Sequence, residues 1–453
     1  MNSTSATFLH VTDAHIAYAG TALERDDRKT VVAGLQPQTR EAALRQVFER
    51  LAERLSRERR GLDGVIFSGD AQDRGRQGGH ELLLDLLLSF FGPLGITAGR
   101  IVATPGNHDV DRTYDPGTAE RYKDFCATWR ARGCVVPWLD GVDDAGSTAP
   151  HSLVGTGNDW AIFPINSSNW CHAAAVLPEP LASVWAQLPH LASGSDTEKE
   201  GKLRHQLDAL ARYDMARISE HQLEQVRRLV DRAPRPEHGR QLRIAVLHHH
   251  LRAPSLREEI KAFSDISNLE QVRAFLRDRE FDVVIHGHKH EHASQFDHVY
   301  DHAGDSARRL LVVSGATFEA GRESDAVRLL TFEGLPYTPS IRVEPIPLQR
   351  GGVDTAVAPG SLQSLARKRK AIHSLFTSIC RRRTSTRCRC PPVTRWRSPW
   401  TQTPGRTGYA SWSVGGNWED RSWNSACPSF MAAACDASEG RSTRSIASRS
   451  CSS

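Results

Sequence analysis

Short apolar runs alternate with amphipathic stretches along most of the chain, and nearly every run ends in a cluster of polar residues. Thr7–Val11 (TFLHV) predicts a first strand. Residues 38–60 then place Ala42, Ala43, Val47, Leu51 and Leu55 on one helical face at the 3.6-residue period. Val65–Ser68 predicts a second strand, Glu81–Phe91 a mostly buried leucine-rich helix, and Ile101–Thr104 a third strand closed by Pro105-Gly106. An irregular stretch from 111 to 159 precedes a strand at Trp160–Ile165. Further on, helices are predicted at Ser219–Val230 and Leu269–Arg277, and strands at Arg243–Leu247 and Asp282–His286. Leu310–Ser314, Val327–Phe332 and Ile341–Ile346 read as strands of a mixed sheet. Residues 171–215 lack strand punctuation, include the polar run Ser193–Lys202, and read as an insertion. Strands interleaved with helices define an α/β class, and the lack of an internal repeat excludes solenoids.

After about residue 360 the pattern stops. Leu, Ile, Val and Phe supply only 10 of residues 361–453, too few to offset the entropy of ordering them in a core. This stretch carries 16 basic and 4 acidic residues, a net +12, so the chain's +5 leaves −7 for residues 1–360. It also holds six of the nine cysteines, and Trp396, Trp400, Trp412, Trp418 and Trp423 without period. Such a composition is what a GC-rich coding sequence yields when read out of frame; the competing reading is a basic arm that grips phosphate backbones. Any nucleic-acid partner inferred from the pI near 8.7 therefore rests on this tail. The 453 residues are enough for more than one domain. No apolar run approaches the roughly 18–20 residues of a membrane span, and the N-terminus lacks a basic stretch followed by an apolar one, so the expectation is a soluble cytoplasmic protein. Three dispersed cysteines in the body make neither a disulfide framework nor a zinc module.

Metal-ligating side chains gather just after five of the predicted strands. The first delivers Asp13-Ala14-His15, the second Gly69-Asp70-Ala71-Gln72-Asp73, and the third Gly106-Asn107-His108-Asp109. Later strands deliver His248-His249-His250 and Gly287-His288-Lys289-His290. The carboxyl ends of strands are where open α/β sheets build their sites. Two divalent cations about 3.5–4 Å apart need a bridging carboxylate, with imidazole, carboxylate and amide donors around the outside. Glycine before Asp70, Asn107 and His288 is expected to let the backbone turn at positive φ. Asn107 offers a neutral oxygen, and His108 beside it is spare for proton donation or for stabilising transition-state charge. His10 reads as a satisfied buried histidine, His286 as the end of a strand and His292 as solvated. Gly75, Gly78 and Gly79 lack the spacing and lysine of a P-loop.

The ordered set D-x-H, G-D-x-x-D, G-N-H-D, isolated His and G-H-x-H resembles the calcineurin-like metallophosphoesterase superfamily. The likeness covers about residues 6–347, apart from insertions at about 111–159 and 171–215, and leaves 348–380 as a linker and 381–453 as the tail. It implies an α/β fold, a four-layer αββα sandwich of two mixed sheets. It also implies two divalent ions (Mn, Fe or Zn), one held by Asp13, His15, Asp70 and His290, the other by Asp70, Asn107, His288 and one of His248–His250. Leu251 stands where many members have proline, and aligning HHHLR with H-H-H-P selects His249, with His248 and then His250 as alternatives. By the same resemblance His108 is the catalytic acid or charge stabiliser, Asp109 orients it, and Asp73 supports a ligand. Arg74 and Arg112 are candidates to clamp a phosphoryl oxygen, or to form ordinary ion pairs with Asp73 and Asp111.

The implied reaction is hydrolysis of a phosphate ester by a hydroxide shared between the two cations. A small phosphodiester is the favoured substrate, because the D-x-H and G-H-x-H pair resembles the cyclic-nucleotide-phosphodiesterase-like branch. The protein Ser/Thr phosphatase branch lacks G-H-x-H and usually has Glu where this chain has Asp109. The alternatives are a phosphomonoesterase or protein phosphatase, a DNA nuclease, and a regulatory metal-binding module for a C-terminal effector.

Overall fold

Phe8 and Leu9 are neighbours in one strand, yet they pack into different cores. That alternation, repeated in strand after strand, organises the molecule. A computed structural model describes residues 4–16, 40–73, 78–144, 146–174, 180–194, 196–210, 212–255, 265–300, 307–316, 325–347 and 361–365. Sheet one joins β1 (Thr4–Val11), β2 (Gly64–Phe67) and β3 (Ile101–Ala103) in parallel. Antiparallel β12 (Asp325–Leu335), β13 (Ser340–Pro347) and β14 (Ser361–Ser364) extend it beyond β1. Sheet two joins β5 (Trp160–Pro164), β8 (Leu242–Val246), β9 (Val283–His286) and β11 (Ala307–Ser314) in parallel. Antiparallel β4 (Leu153–Val154) and β10 (Ala293–Tyr300) form its edges.

Between the sheets Phe8, Ile66, Val102 and Phe332 meet Ile162, Ile244, Val246, Ile285 and Val313. The alternate residues of sheet one, Leu9, Val11, Val65 and Phe67, face helices α1 (Arg40–Glu58) and α2 (Gly79–Phe91) through Leu44, Phe48, Leu51, Leu83 and Leu87. On the far side Phe163, Ala245, Val284 and Val312 meet Leu223 and Val226 from helix α5 (Glu220–Arg232) and Leu276 from helix α6 (Leu269–Asp278). Because these strands bury both faces, they read as continuous apolar runs, and each large side chain contributes about 1.5–3 kcal/mol of burial. The result is the expected four layers, helix, sheet, sheet, helix, with mixed sheets.

Several elements depart from the sequence pattern. The stretch 171–215 contains β6 (Cys171–Ala174), helices α3 (Leu181–Ser193) and α4 (Thr197–Leu210), and β7 (Arg212–Asp214), which pairs with β6. Leu181, Val184 and Leu191 on α3 are exposed, so its apolar residues do not mark a core-facing stripe. α4 instead carries i,i+4 ion pairs, Glu198–Lys202 and Glu200–Arg204, a surface-helix signal that periodicity of apolar residues misses. Helices α5 (Glu220–Arg232) and α6 (Leu269–Asp278) follow the expected spans, and Ser219 caps α5 by accepting from the Gln222 amide at 3.0 Å. β10 is only half buried and polar, and the expected linker contains β14, four residues paired to β13. The tail after residue 365 lies outside the described residues. Among the described residues, no helix is long and apolar enough to cross a membrane.

Candidate metal centre

The five polar clusters follow strands that are parallel within their sheets, and backbone bonds lace the resulting loops together. Asp13 N–H donates to Gly69 O at 2.9 Å and His15 N–H to Asp70 O at 3.0 Å, joining the first two loops. Gly287 N–H donates to His248 O at 3.1 Å, joining the last two. Asp13, His15, Asp70, His288 and His290 all hold positive φ, between 44° and 74°. This backbone is uncommon outside glycine, and its concentration on the predicted ligands marks a site where the surroundings impose side-chain direction.

The glycines act for two different reasons. Gly69, with φ of 105°, is the left-handed turn expected. Gly106 is not at positive φ; a Cβ there would lie 2.0 Å from Asp70 Oδ1, so it is glycine because the carboxylate occupies that space.

Two donor sets adjoin one another. In the first, His290 Nε2 lies 3.2 Å from Asp13 Oδ1 and 3.1 Å from His15 Nε2. In the second, His248 Nε2 lies 3.0 Å from Asn107 Oδ1 and 3.2 Å from Asp70 Oδ2. The same Asp70 oxygen is 3.8 Å from His15 Nε2, so it stands between the sets. His288 ring nitrogen groups with those of His248 and His249, and its backbone N–H donates to both oxygens of Asp13 at 3.1 and 3.0 Å.

Two nitrogens about 2.1 Å from one ion stand about 3.0–3.4 Å apart at tetrahedral-to-octahedral angles, which is the His15–His290 spacing. The carboxylates of Asp13 and Asp70 are 0% and 1% exposed, and buried charge of this kind calls for pairing or a cation. Burial, the largest single effect, opposes ionisation of Asp13, but the charge and hydrogen bond of His290 together with the His248 charge outweigh it and lower the pKa to about 2. Burial would also depress His248, yet Asp70 and Asp13 raise it to about 9. His15 is pushed down to about 3, chiefly by burial, which leaves a neutral imidazole. Anionic carboxylates and convergent imidazoles therefore fit a pair of divalent cations.

His248 rather than His249 faces Asn107 and Asp70. Its Nδ1 donates to Ser68 O at 2.8 Å, which makes Nε2 the nitrogen that turns toward Asn107 and Asp70 and would take a cation once its proton leaves. His249 directs Nδ1 to Ser167 Oγ at 2.8 Å and sets Nε2 3.6 Å from Cys171 Sγ, although its ring stays 4.5 Å from that of His288. The strand's own alternation carries this information: Ile244 and Val246 face the inter-sheet core, Ala245 and Leu247 face outward, and His248 continues the inward set. Asn166, Ser167, Ser168 and Asn169, all buried after β5, form a sixth polar strand end that the sequence reading passed over.

Asp109 does not orient His108. Its carboxylate accepts backbone N–H groups from Asp70 at 2.7 Å, Gly106 at 2.9 Å and Gln72 at 3.0 Å. Asp73 is the carboxylate beside His108, 3.7 Å from Nδ1. Burial lowers the His108 pKa, but Asp70 and Asp73 overcome that and the net direction is upward. The ring is a quarter exposed, and its backbone N–H donates to Asp70 Oδ1 at 2.8 Å. Arg112 is half-buried and close enough for its charge to act on His108. Arg74 lies outside the described residues. His10 is buried against Ser68 Oγ at 2.9 Å, His286 is buried and His292 exposed, as expected.

The fold is thus a helix–sheet–sheet–helix sandwich that collects Asp, Asn and His at its strand ends into two adjoining candidate metal-donor sets. The profile of calcineurin-like phosphoesterases matches residues 6–292. The chain belongs to that family, whose members use a binuclear divalent metal centre. Among solved structures, purple acid phosphatase PPD1 from yellow lupin is 10% identical, with a TM-score of 0.39 over 80% of this chain and 54% of that one. PhoD gives 11%, 0.38, 80% and 69%. A 5'-nucleotidase precursor from Thermus thermophilus gives 11%, 0.31, 80% and 54%. This chain thus spans about half the length of the lupin phosphatase and of the nucleotidase. Curated protein sequences give no match.

Proposed function

We propose that the chain hydrolyses a small phosphodiester at this centre. The observation that carries the hydrolase reading is the convergence of Asp13, His15, Asp70, Asn107, His248, His288 and His290 from five strand ends into two donor sets that share Asp70. In this reading Asp13, His15, Asp70 and His290 hold one ion, and Asp70, Asn107, His248 and His288 the other. His248 takes the place that the motif alignment gave to His249. When bound, the two cations supply Lewis-acid activation of water and of the phosphoryl oxygens. His108 holds a proton at the rim, steadied by Asp73, and delivers it to the departing alkoxide. Arg112 offers a guanidinium to a phosphoryl oxygen. Asp109 keeps the Asp70 and Asn107 loops in register through three backbone bonds. The diester preference draws on the D-x-H and G-H-x-H pair and on Asp109 after G-N-H.

The test is turnover by the full chain, loaded with Mn(II) or Zn(II), of bis-p-nitrophenyl phosphate, p-nitrophenyl phosphate, cyclic nucleotides and single-stranded DNA. Asp70→Ala and Asn107→Ala serve as controls. Faster diester than monoester hydrolysis, lost in both variants, is expected. Monoester preference overturns the substrate reading, and variants as active as wild type overturn the site.

A further inference from the structure

The loop that carries His288 and His290 leaves β9 at His286 and enters β10 at Ala293. Ser314, at the end of β11, is the registered neighbour of both residues. Its position is buried, 1% exposed. The Ser314 hydroxyl donates to Glu291 O and accepts from Ala293 N–H at 2.8 Å, closing the C-terminal half of the loop. On its other side, Gly315 N–H donates to His286 O at 2.7 Å. Since Ala293 N–H bonds to the hydroxyl, the Ser314 carbonyl is available, and the guanidinium of Arg328 donates to it. Arg328 belongs to β12 and pairs with His10 in sheet one, so this bond crosses from one sheet to the other within the buried core.

Such a placement has a cost. Desolvating a guanidinium is unfavourable, and an apolar residue would suit the inter-sheet core better. What the arrangement provides is a fixed position for a strained loop. His288 and His290 hold φ of 74° and 55°, and such backbone persists only where neighbours over-determine it. Asp13 fixes the N-terminal half, through the His288 N–H. His290 is one residue from the Ser314-bound carbonyl of Glu291, on the opposite half.

We infer that Ser314 and Arg328 form a positioning clamp for His290 and thereby set the affinity of the metal site to which His290 contributes. They touch neither substrate nor metal. The inference rests on the ligand assignment proposed above, and it separates from that assignment in one experiment.

Metal-free full-length chain is titrated with Mn(II), and free Mn(II) is followed by electron paramagnetic resonance. Wild type, Ser314→Ala, Ser314→Thr, Arg328→Lys and His290→Ala are compared. Supporting residues around metal ligands typically govern affinity by about 10–100-fold. Ser314→Ala and Arg328→Lys are expected to weaken one of two Mn(II) sites by that factor and leave the other within about threefold. Ser314→Thr, which keeps the hydroxyl, restores most of the loss. If Ser314→Ala keeps both affinities, or loses both equally, while His290→Ala abolishes one site, the clamp is refuted and the ligand assignment stands. If His290→Ala retains both sites, the assignment fails and the clamp with it.

Discussion

Replacing Asp109 by Asn probes the centre through a residue that touches neither metal nor substrate. One carboxylate oxygen accepts from Asp70 N–H at 2.7 Å and Gly106 N–H at 2.9 Å, the other from Gln72 N–H at 3.0 Å. The residue is 3% exposed, so water cannot substitute. The best amide orientation keeps its oxygen on the first pair and turns its NH2 toward the Gln72 N–H. His80 Nε2 adds to that conflict. It lies 3.6 Å from the same carboxylate oxygen, and it carries the ring proton because Nδ1 accepts from Trp129 Nε1. The substitution thus loses one charge-assisted bond, about 1.5–3 kcal/mol, and sets donor against donor. A loss of about 2–4 kcal/mol in urea unfolding of the metal-free chain is expected, together with weaker metal binding. At saturating metal the pH profile of turnover should keep its shape, because Asp73 rather than Asp109 stands beside His108. A variant within about 0.5 kcal/mol of wild type would refute the reasoning, as would a shifted alkaline limb, where His108 loses its proton, with unchanged stability.

The histidine run gives a second prediction: His248→Ala should retain about one metal per chain by elemental analysis, whereas His249→Ala retains two. Metal uptake should also be coupled to protons. With its pKa raised from 6.5 to about 9, metal-free His248 is protonated at neutral pH, and that proton must leave before Nε2 binds a cation. Apparent affinity for the second ion should therefore rise with pH, by up to about tenfold per unit between pH 6 and 8, and a calorimetric titration showing no pH dependence would contradict this. Gly106→Ala places a methyl 2.0 Å from Asp70 Oδ1 and should abolish metal binding. Gly99→Ala meets nothing within 4 Å and should bind normally in the same assay.

Much of this was legible in the sequence because both sheets are covered. Strands buried on two faces advertise themselves as apolar runs, and the polar residues that end them stand out by contrast. What escaped has identifiable causes. Three consecutive histidines share one chemistry, and only the pleat of β8 separates His248 from its neighbour. Asp109 follows His108 directly, which suggested a pair, but the loop turns its carboxylate back onto the backbone of its own and the adjoining loop. Gly106 and Gly69 look alike in sequence, yet one answers to crowding and the other to torsion. Helix α3 leaves Leu181, Val184 and Leu191 exposed, and α4 is marked by its i,i+4 ion pairs, so hydrophobic period was a poor guide to this insertion.

The central claim is that seven side chains from five strand ends hold two cations on a shared Asp70. Anomalous scattering from crystals of the full chain grown with Mn(II) tests it most directly. Two peaks about 3.5–4 Å apart are predicted, one among Asp13, His15 and His290, the other among Asn107, His248 and His288, both touching Asp70. A single peak, a peak held by His249 in place of His248, or ions bound away from Asp70 would contradict the account.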